Sequence, residues 1–149
     1  MSAALHLAKP DDLDRLLALV AAFHAETGLE CSDEGRRRGI LPLLEGIPHG
    51  VAYLIGPSRA PMGYVIVTFG WSVEHGGMDG FIDEIFLRSA VRGRGIAGEV
   101  LIALPKALEK AGVKALHLVV DQSNDAANRL YARSGFVLRE QFRLMTRTL

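Results

Sequence analysis

A glycine-rich, basic turn between Arg92 and Gly98 has the composition of an anion-binding site. It follows an apolar stretch and leads into a helical pattern, so its main-chain amides lie at the start of a helix. Such amides lack intrahelical acceptors and carry partial positive charge. Small residues let a diphosphate approach the backbone, and arginines add positive charge. The candidate residues are Arg92, Gly93, Arg94, Gly95, Ile96, Ala97 and Gly98.

Three other interpretations of this turn compete with an anion site. A Walker loop ends in Gly-Lys-Ser or Gly-Lys-Thr, and the sequence contains neither. The string Gly93–Gly98 matches the Gly-x-Gly-x-x-Gly of a Rossmann loop, which predicts a dinucleotide dehydrogenase. That string lies late in the chain, however, and its arginine spacing is foreign to the motif. The third alternative is an ordinary strand-to-helix turn that binds nothing. On the turn alone, we favour anion binding.

The elements that position this turn are predicted from hydrophobic periodicity and from breaker residues. Helices are predicted over 10–27, 34–44 and 125–134, and a further helical run leads from the Arg92–Gly98 turn to Ala111. Strands are predicted over 4–8, 51–55, 63–69, 81–87 and 116–120, and 136–148 is expected to add one or two more. Strands and helices therefore mix in one α/β domain spanning 1–149, with the helices covering a mostly antiparallel sheet.

Composition narrows the classes of partner. Acidic and basic residues balance at 17 each, which argues against nucleic acid as a partner. Cys31 is the only cysteine, so no disulfide forms within the chain. The five histidines show no metal-ligand spacing, and no metal is expected. Met1–His6 lacks the features of a signal peptide, and the apolar runs are too short for a membrane span, so we expect a cytoplasmic protein that does not bind membranes.

Two segments resemble motifs of the GNAT acetyltransferases. The run 81–98 resembles motif A, whose signature is Gln or Arg, two residues, Gly, one residue, then Gly or Ala; Arg92, Gly95 and Ala97 satisfy it. The run 118–136 resembles motif B, which has a strand, an Asn, an Ala, a Tyr and a Gly-Phe in this order. Here these are Asn124, Ala127, Tyr131, Gly135 and Phe136. The specific resemblance covers about the second half of the chain.

The resemblance implies a GNAT fold and a site for acetyl-coenzyme A. The fold would be a mostly antiparallel mixed sheet of six to seven strands with about four helices. The diphosphate would rest on the amides of Arg92–Gly98. The pantetheine arm would pair with the free backbone of Phe86 and Leu87, where the family's sheet splays and a bulge aims an N–H at the thioester oxygen. Asn124 would hydrogen-bond the coenzyme arm, and Tyr131 would point its hydroxyl at the sulfur.

The resemblance also implies catalytic roles. Tyr131 would protonate the departing thiolate, although a core aromatic is the alternative. Asp83 or Glu84 would accept the proton of the amine. Because neighbours on a strand face opposite sides, only one of the two is expected to face the amine, and Glu84 is slightly preferred. A buried carboxylate would have the raised pKa that suits a base, whereas the alternative is a solvated strand-end charge.

The sequence thus predicts an N-acetyltransferase in which an amine attacks acetyl-CoA directly. The acceptor would be a primary amine of a small molecule or of a protein, and acids such as Glu26 near the end of the first helix would suit a cation. The alternative is a non-catalytic module that binds acyl-CoA. The sequence does not decide whether the chain forms a homodimer.

Overall fold

The computed structural model describes residues 4–149, so Met1–Ala3, part of the segment without signal-peptide features, lie outside it. The described chain divides into two compact units, one ending at Val119 and the other Val120–Leu149. A single domain over 1–149 stays a prediction. The first unit contains three helices, α1 Leu13–Thr27, α2 Asp33–Leu44 and α3 Ile96–Lys110. Its five strands are β1 Leu5–Leu7, β2 Gly50–Ile55, β3 Gly63–Ser72, β4 Gly77–Leu87 and β5 Ala115–Leu118.

Local signals determine the ends of the helices. Gly28 ends α1 in the left-handed conformation, at φ 73°, and its N–H donates to the His24 carbonyl. Ser32 caps α2 by accepting a hydrogen bond from the Gly35 N–H at 3.0 Å. Gly95 occupies the N-cap of α3, also with a left-handed φ of 77°. The predicted helices are confirmed: α1 begins three residues later than predicted, and the other predicted ends differ by at most one residue.

The strands form one mixed sheet in the order β1-β2-β3-β4-β5. The first three pairings are antiparallel, and β4 pairs with β5 in parallel over only four residues, Asp79–Ile82 with Ala115–Leu118. Because β4 continues to Leu87 while β5 stops, the sheet splays beyond Ile82. The backbone of 83–87 consequently has no β5 partner. The predicted mostly antiparallel sheet is confirmed.

A β-bulge at Asp83 changes which face of the sheet the β4 side chains occupy. Ile66 pairs with Glu84 and Val67 pairs with Ile82, so Asp83 has no partner on β3. Without the bulge, Ile82 and Glu84 would share a face. With it, Ile82 joins the face of Val67, and Glu84 joins the face of Ile66.

Each face of the sheet is buried by helices. On the face of Glu84, Leu16 and Val20 of α1 and Leu44 of α2 share one apolar core with Tyr64 of β3. Val65 and Val67 alternate with these strand residues and are fully buried on the other face. The buried stripe of α3 consists of Ile96, Val100, Leu101, Leu104 and Leu108. Glu84 is therefore a carboxylate at the border of an apolar core.

The second unit contains one helix, α4 Asp125–Arg133, which begins at an Asn124 cap. The predicted strands over 136–148 are wrong, since these described residues form no strand, and the sheet has five strands rather than six to seven. A strand is stable only when a neighbour satisfies its backbone groups and its apolar face is covered. Here apolar side chains of the tail are exposed instead, among them Val137, Leu144 and Met145.

Candidate active site

The turn before α3 presents a row of unpaired backbone donors. The Arg92 N–H donates to Ser89 and the Glu99 N–H to Gly95, but the six amides of 93–98 have no backbone or side-chain acceptor within residues 4–149. A Cβ built on Gly93, Gly95 or Gly98 would meet no described atom within 4 Å, so the space around them is open. Positive φ angles of 77° at Gly93 and Gly95 require glycine there. This arrangement suits an anion with several oxygens.

Phe86 and Leu87, the two residues of β4 that were predicted to bind the coenzyme, point their backbone N–H and C=O groups to opposite edges of the strand. The N–H of Arg88 donates to Met62 next to β3, so Phe86 also turns its backbone to β3 by alternation. Leu87 turns its backbone groups to the splayed edge, where β5 has already ended. Phe86 instead contributes a buried ring, 5.6 Å from the ring of Phe23 on α1. The edge open to a ligand thus carries the backbone of Leu87.

Arg92 is committed to contacts within the protein. Its Nη2 lies 2.7 Å from Glu26 Oε2, and its Nε donates to the Leu87 carbonyl at 3.0 Å. Its guanidinium lies 5.4 Å from the centre of the Phe86 ring. These contacts tie the end of α1 to the turn and offset the charge of Glu26. Arg94 is exposed and forms no ion pair within the described chain, so its charge is available to an anion.

A buried hydrogen-bond network lies on the face of β4 that α1 covers. Tyr64 of β3 donates its hydroxyl to Glu84 Oε1 at 2.7 Å. The Nε2 of His24, on α1, lies 2.8 Å from Glu84 Oε2. His24 is only 6% exposed, and its Nδ1 is buried without a partner among residues 4–149. Burial and the hydrogen bond to Glu84 raise the pKa of Tyr64 well above its ordinary value, so this phenol stays a donor.

Asp83, on the bulge, differs from its neighbour in environment. The residue is exposed and accepts no hydrogen bond from the described part of the chain. Although the side chain reaches solvent, neighbouring protein atoms partly desolvate its carboxyl. This desolvation, and then the negative charge of Glu84, raise the pKa of Asp83, while a positive charge on His24 would act in the opposite direction. Glu84 is thus hydrogen-bonded to His24, and Asp83, one residue before it on the bulge, lies within electrostatic reach of the same ring.

The second unit holds the remaining predicted residues. Asn124 accepts a hydrogen bond from the Ala127 N–H at 3.1 Å and so caps α4 with its own side-chain oxygen. Tyr131 lies about two helical turns beyond Asn124, with its ring 5.9 Å from that of Phe136. Burial raises the pKa of Tyr131, which keeps its hydroxyl protonated at neutral pH. The roles of both residues toward a ligand stay predictions.

Sequence reasoning missed His24 and Tyr64, because both look like ordinary core residues of a helix and a strand. Their partner lies 60 and 20 residues away, respectively, so no local spacing points to it. No cluster of metal-ligating side chains occurs in residues 4–149. Nor does any helix in this range have the length and apolar character to cross a membrane.

The profile of the Acetyltransferase (GNAT) family matches residues 16–136. Among curated proteins, the uncharacterized N-acetyltransferase YycN of Bacillus subtilis (strain 168) is 36% identical over 63 residues, which make up 42% of this chain and 40% of that protein. An integron cassette protein, HFX_CASS3, from the mobile metagenome of Cole Harbour Salt Marsh has a TM-score of 0.84 at 28% identity, covering 97% of this chain and 90% of the other. A predicted acetyltransferase from Clostridium acetobutylicum, solved with acetyl-CoA, has a TM-score of 0.78 at 16% identity over 97% and 96% of the two chains, which shows the fold.

Proposed function

The chain belongs to the GNAT family of acetyltransferases, and we infer that it transfers the acetyl group of acetyl-CoA to a primary amine. One observation carries this proposal: the unpaired amides of 93–98 adjoin the end of a β4 edge that β5 leaves open. The amides supply donors for a diphosphate, and the open edge supplies backbone groups for an extended arm. Together they suit a coenzyme that has both parts.

The proposed cofactor contacts follow from these two features. The diphosphate accepts hydrogen bonds from the amides of 93–98, with Arg94 adding charge. The pantetheine arm runs beside the β4 edge at Leu87, and Asn124 bonds the arm as the family resemblance implies. Arg92 supports the turn through Glu26 and Phe86. The chemistry that acetyl-CoA supplies is an activated thioester.

The proposed reaction needs two proton transfers. The acceptor must lose its ammonium proton, because only the neutral amine has a lone pair to attack the thioester carbonyl. We propose a carboxylate of the pair Asp83 and Glu84 as the proton acceptor. The new C–N bond forms as the C–S bond breaks, and Tyr131 donates a proton to the departing thiolate. Holding both reactants in one complex supplies several kcal/mol of the barrier reduction.

The nature of the site favours a cationic amine as acceptor. Asp83 is exposed on β4 next to the largely buried Glu84, on the part of the strand that β5 leaves unpaired, and a protonated primary amine would be attracted to this negative charge. Relatives of this fold include an aminoglycoside acetyltransferase solved in complex with sisomicin. Small polyamines, aminoglycosides and peptides with a free N-terminus are therefore the acceptors to test first.

Release of free thiol from acetyl-CoA tests this proposal. We expect release to require an amine, to saturate with both substrates, and to yield the N-acetylated amine by mass spectrometry. The alternative, a module that binds acyl-CoA without chemistry, predicts tight binding by calorimetry and no amine-dependent thiol release. A dinucleotide dehydrogenase predicts NAD binding instead. Failure of acetyl-CoA to bind at all would refute both the enzyme and the binding module.

A further inference from the structure

Both oxygens of Glu84 are already occupied. Oε1 accepts from the Tyr64 hydroxyl at 2.7 Å, and Oε2 lies 2.8 Å from His24 Nε2. The side chain is 17% exposed, and its partners come from two other elements, β3 and α1. Its position is therefore fixed by the fold. A proton arriving on Glu84 would remove the negative charge that strengthens these two hydrogen bonds.

The unpartnered Nδ1 of His24 indicates the protonation state of this pair. An imidazolium would bury a charged Nδ1–H without an acceptor, which costs more than burying a bare nitrogen lone pair. An unsatisfied Nδ1–H would also exist if Nε2 instead accepted a hydrogen bond from a protonated Glu84, because the neutral ring would then carry its hydrogen on Nδ1. The arrangement with the fewest unsatisfied donors is a neutral imidazole that donates its Nε2–H to an ionised Glu84.

Asp83 has the properties that Glu84 lacks. The bulge leaves it without a cross-strand partner, its side chain is exposed, and no described group donates a hydrogen bond to it. Its carboxylate is therefore able to accept a proton without breaking a hydrogen bond. It also lies within electrostatic reach of Glu84, whose negative charge acts on it.

We propose that Asp83 removes the proton from the acceptor amine, and that His24 and Tyr64 are positioning residues that hold Glu84 beside it as a fixed negative charge. This rests on the proposed acetyl transfer. The N–H bond of the ammonium breaks, the proton moves to an Asp83 oxygen, and the electron pair stays on nitrogen for attack. The titratable groups that act on Asp83 are Glu84 from β4 and, when charged, His24 from α1, while Asp83 and Glu84 both raise the pKa of Tyr64 from β3.

The first test compares acceptors of different basicity. Asp83→Asn is expected to lower kcat/KM by about 100-fold or more for a strongly basic amine, since general-base catalysis contributes about 10²–10⁴. The loss should shrink for an amine that is already largely neutral at the assay pH. Glu84→Gln can keep both partners, because the Tyr64 hydroxyl can accept as well as donate, and should lose about tenfold or less. An equal Asp83→Asn loss for every acceptor, or a larger loss in Glu84→Gln, overturns the proposal.

The second test measures titration directly, without turnover. The Asp83 carboxyl carbon is followed by NMR against pH in the full chain, assigned by its absence in Asp83→Asn. Glu84→Gln removes a charge that raises the pKa of Asp83, so its titration should move to lower pH. Asp79→Asn removes another histidine-paired carboxylate of β4 and should leave the Asp83 titration in place. A titration that Glu84→Gln does not move refutes the network, whereas absent acetyl transfer with the expected shift refutes only the proposed function.

Variants of His24 separate positioning from packing. Gln places an amide donor near the location of Nε2, whereas Leu fills the site without a donor. We expect His24→Gln to keep most of kcat and to leave the pH of the Asp83 titration in place. His24→Leu should lower kcat and shift that titration while remaining folded by circular dichroism. Should His24→Leu fail to fold, His24→Gln still tests the proposal, because a Gln variant that folds but has lost kcat contradicts the positioning role.

Discussion

Gly98 offers a substitution whose effects on stability and on ligand binding are opposite in sign. It lies in the first turn of α3, its φ is not positive, and a Cβ there would meet no described atom within 4 Å. Gly98→Glu is therefore free of steric strain. Glutamate favours the helix but puts a negative charge in front of the unpaired amides. If those amides bind a diphosphate, a more stable protein should bind acetyl-CoA more weakly.

The magnitudes follow from helix propensity and from charge. Replacing glycine inside a helix contributes about 0.5–1 kcal/mol. A carboxylate in the first turn adds about 0.3–1 kcal/mol through the helix dipole. The melting temperature should therefore rise by about 2–6 °C. Two phosphate charges near this carboxylate, at about 1 kcal/mol each in water, weaken binding by about 2 kcal/mol, or roughly 30-fold.

Calorimetric titration with acetyl-CoA and thermal unfolding measure the two effects. Gly98→Ala should raise stability with at most a small loss of affinity, which isolates the charge. Gly39→Glu is the matched control, because Gly39 lies in α2 with equally open space and is far from the turn in sequence. It should leave affinity unchanged. Acetyl-CoA affinity that is the same in Gly98→Glu and in the unsubstituted protein would show that the coenzyme does not use these amides.

Three further substitutions test the network and the proton donor. Tyr64→Phe removes a donor from Glu84 and should lower the free energy of unfolding by about 1–3 kcal/mol in urea; no loss would contradict that hydrogen bond. Asp83→Asn should be more stable than the parent at about pH 7. Because the pKa of Asp83 is raised in the folded state, the stability of the parent falls as pH rises through that pKa, so the gain from the substitution should be smaller at about pH 4. An equal gain at both pH values would contradict a raised pKa of Asp83. Tyr131→Phe should lower kcat by about tenfold or more with unchanged acetyl-CoA affinity, and undiminished turnover would exclude Tyr131 as the proton donor.

Local chemistry made much of the first unit predictable. Gly28 ends α1 because glycine alone readily adopts a left-handed φ, and this needs no knowledge of the rest of the chain. The glycines of the turn before α3 likewise indicated an accessible backbone at the start of a helix. The order of strands and helices followed from periodicity. These features depend on residues that are close in sequence.

The parts that failed depend on distant residues. The bulge at Asp83 is visible only in the register between β3 and β4, and the sequence around Asp83 and Glu84 does not signal it. The pairing of His24 with Glu84 joins α1 to β4, and neither sequence neighbourhood signals it. The tail was read as strands from its apolar residues, but a strand also needs a partner, which composition does not supply.

The central claim is that the amides of 93–98 and the open β4 edge bind acetyl-CoA. Amide NMR of the uniformly labelled chain, titrated with acetyl-CoA, tests it most directly. We predict saturable shifts that are largest for Gly93, Gly95 and Gly98 and present for Leu87, with little change for Gly39. Saturable shifts concentrated elsewhere, with the 93–98 amides unmoved, would contradict the claim.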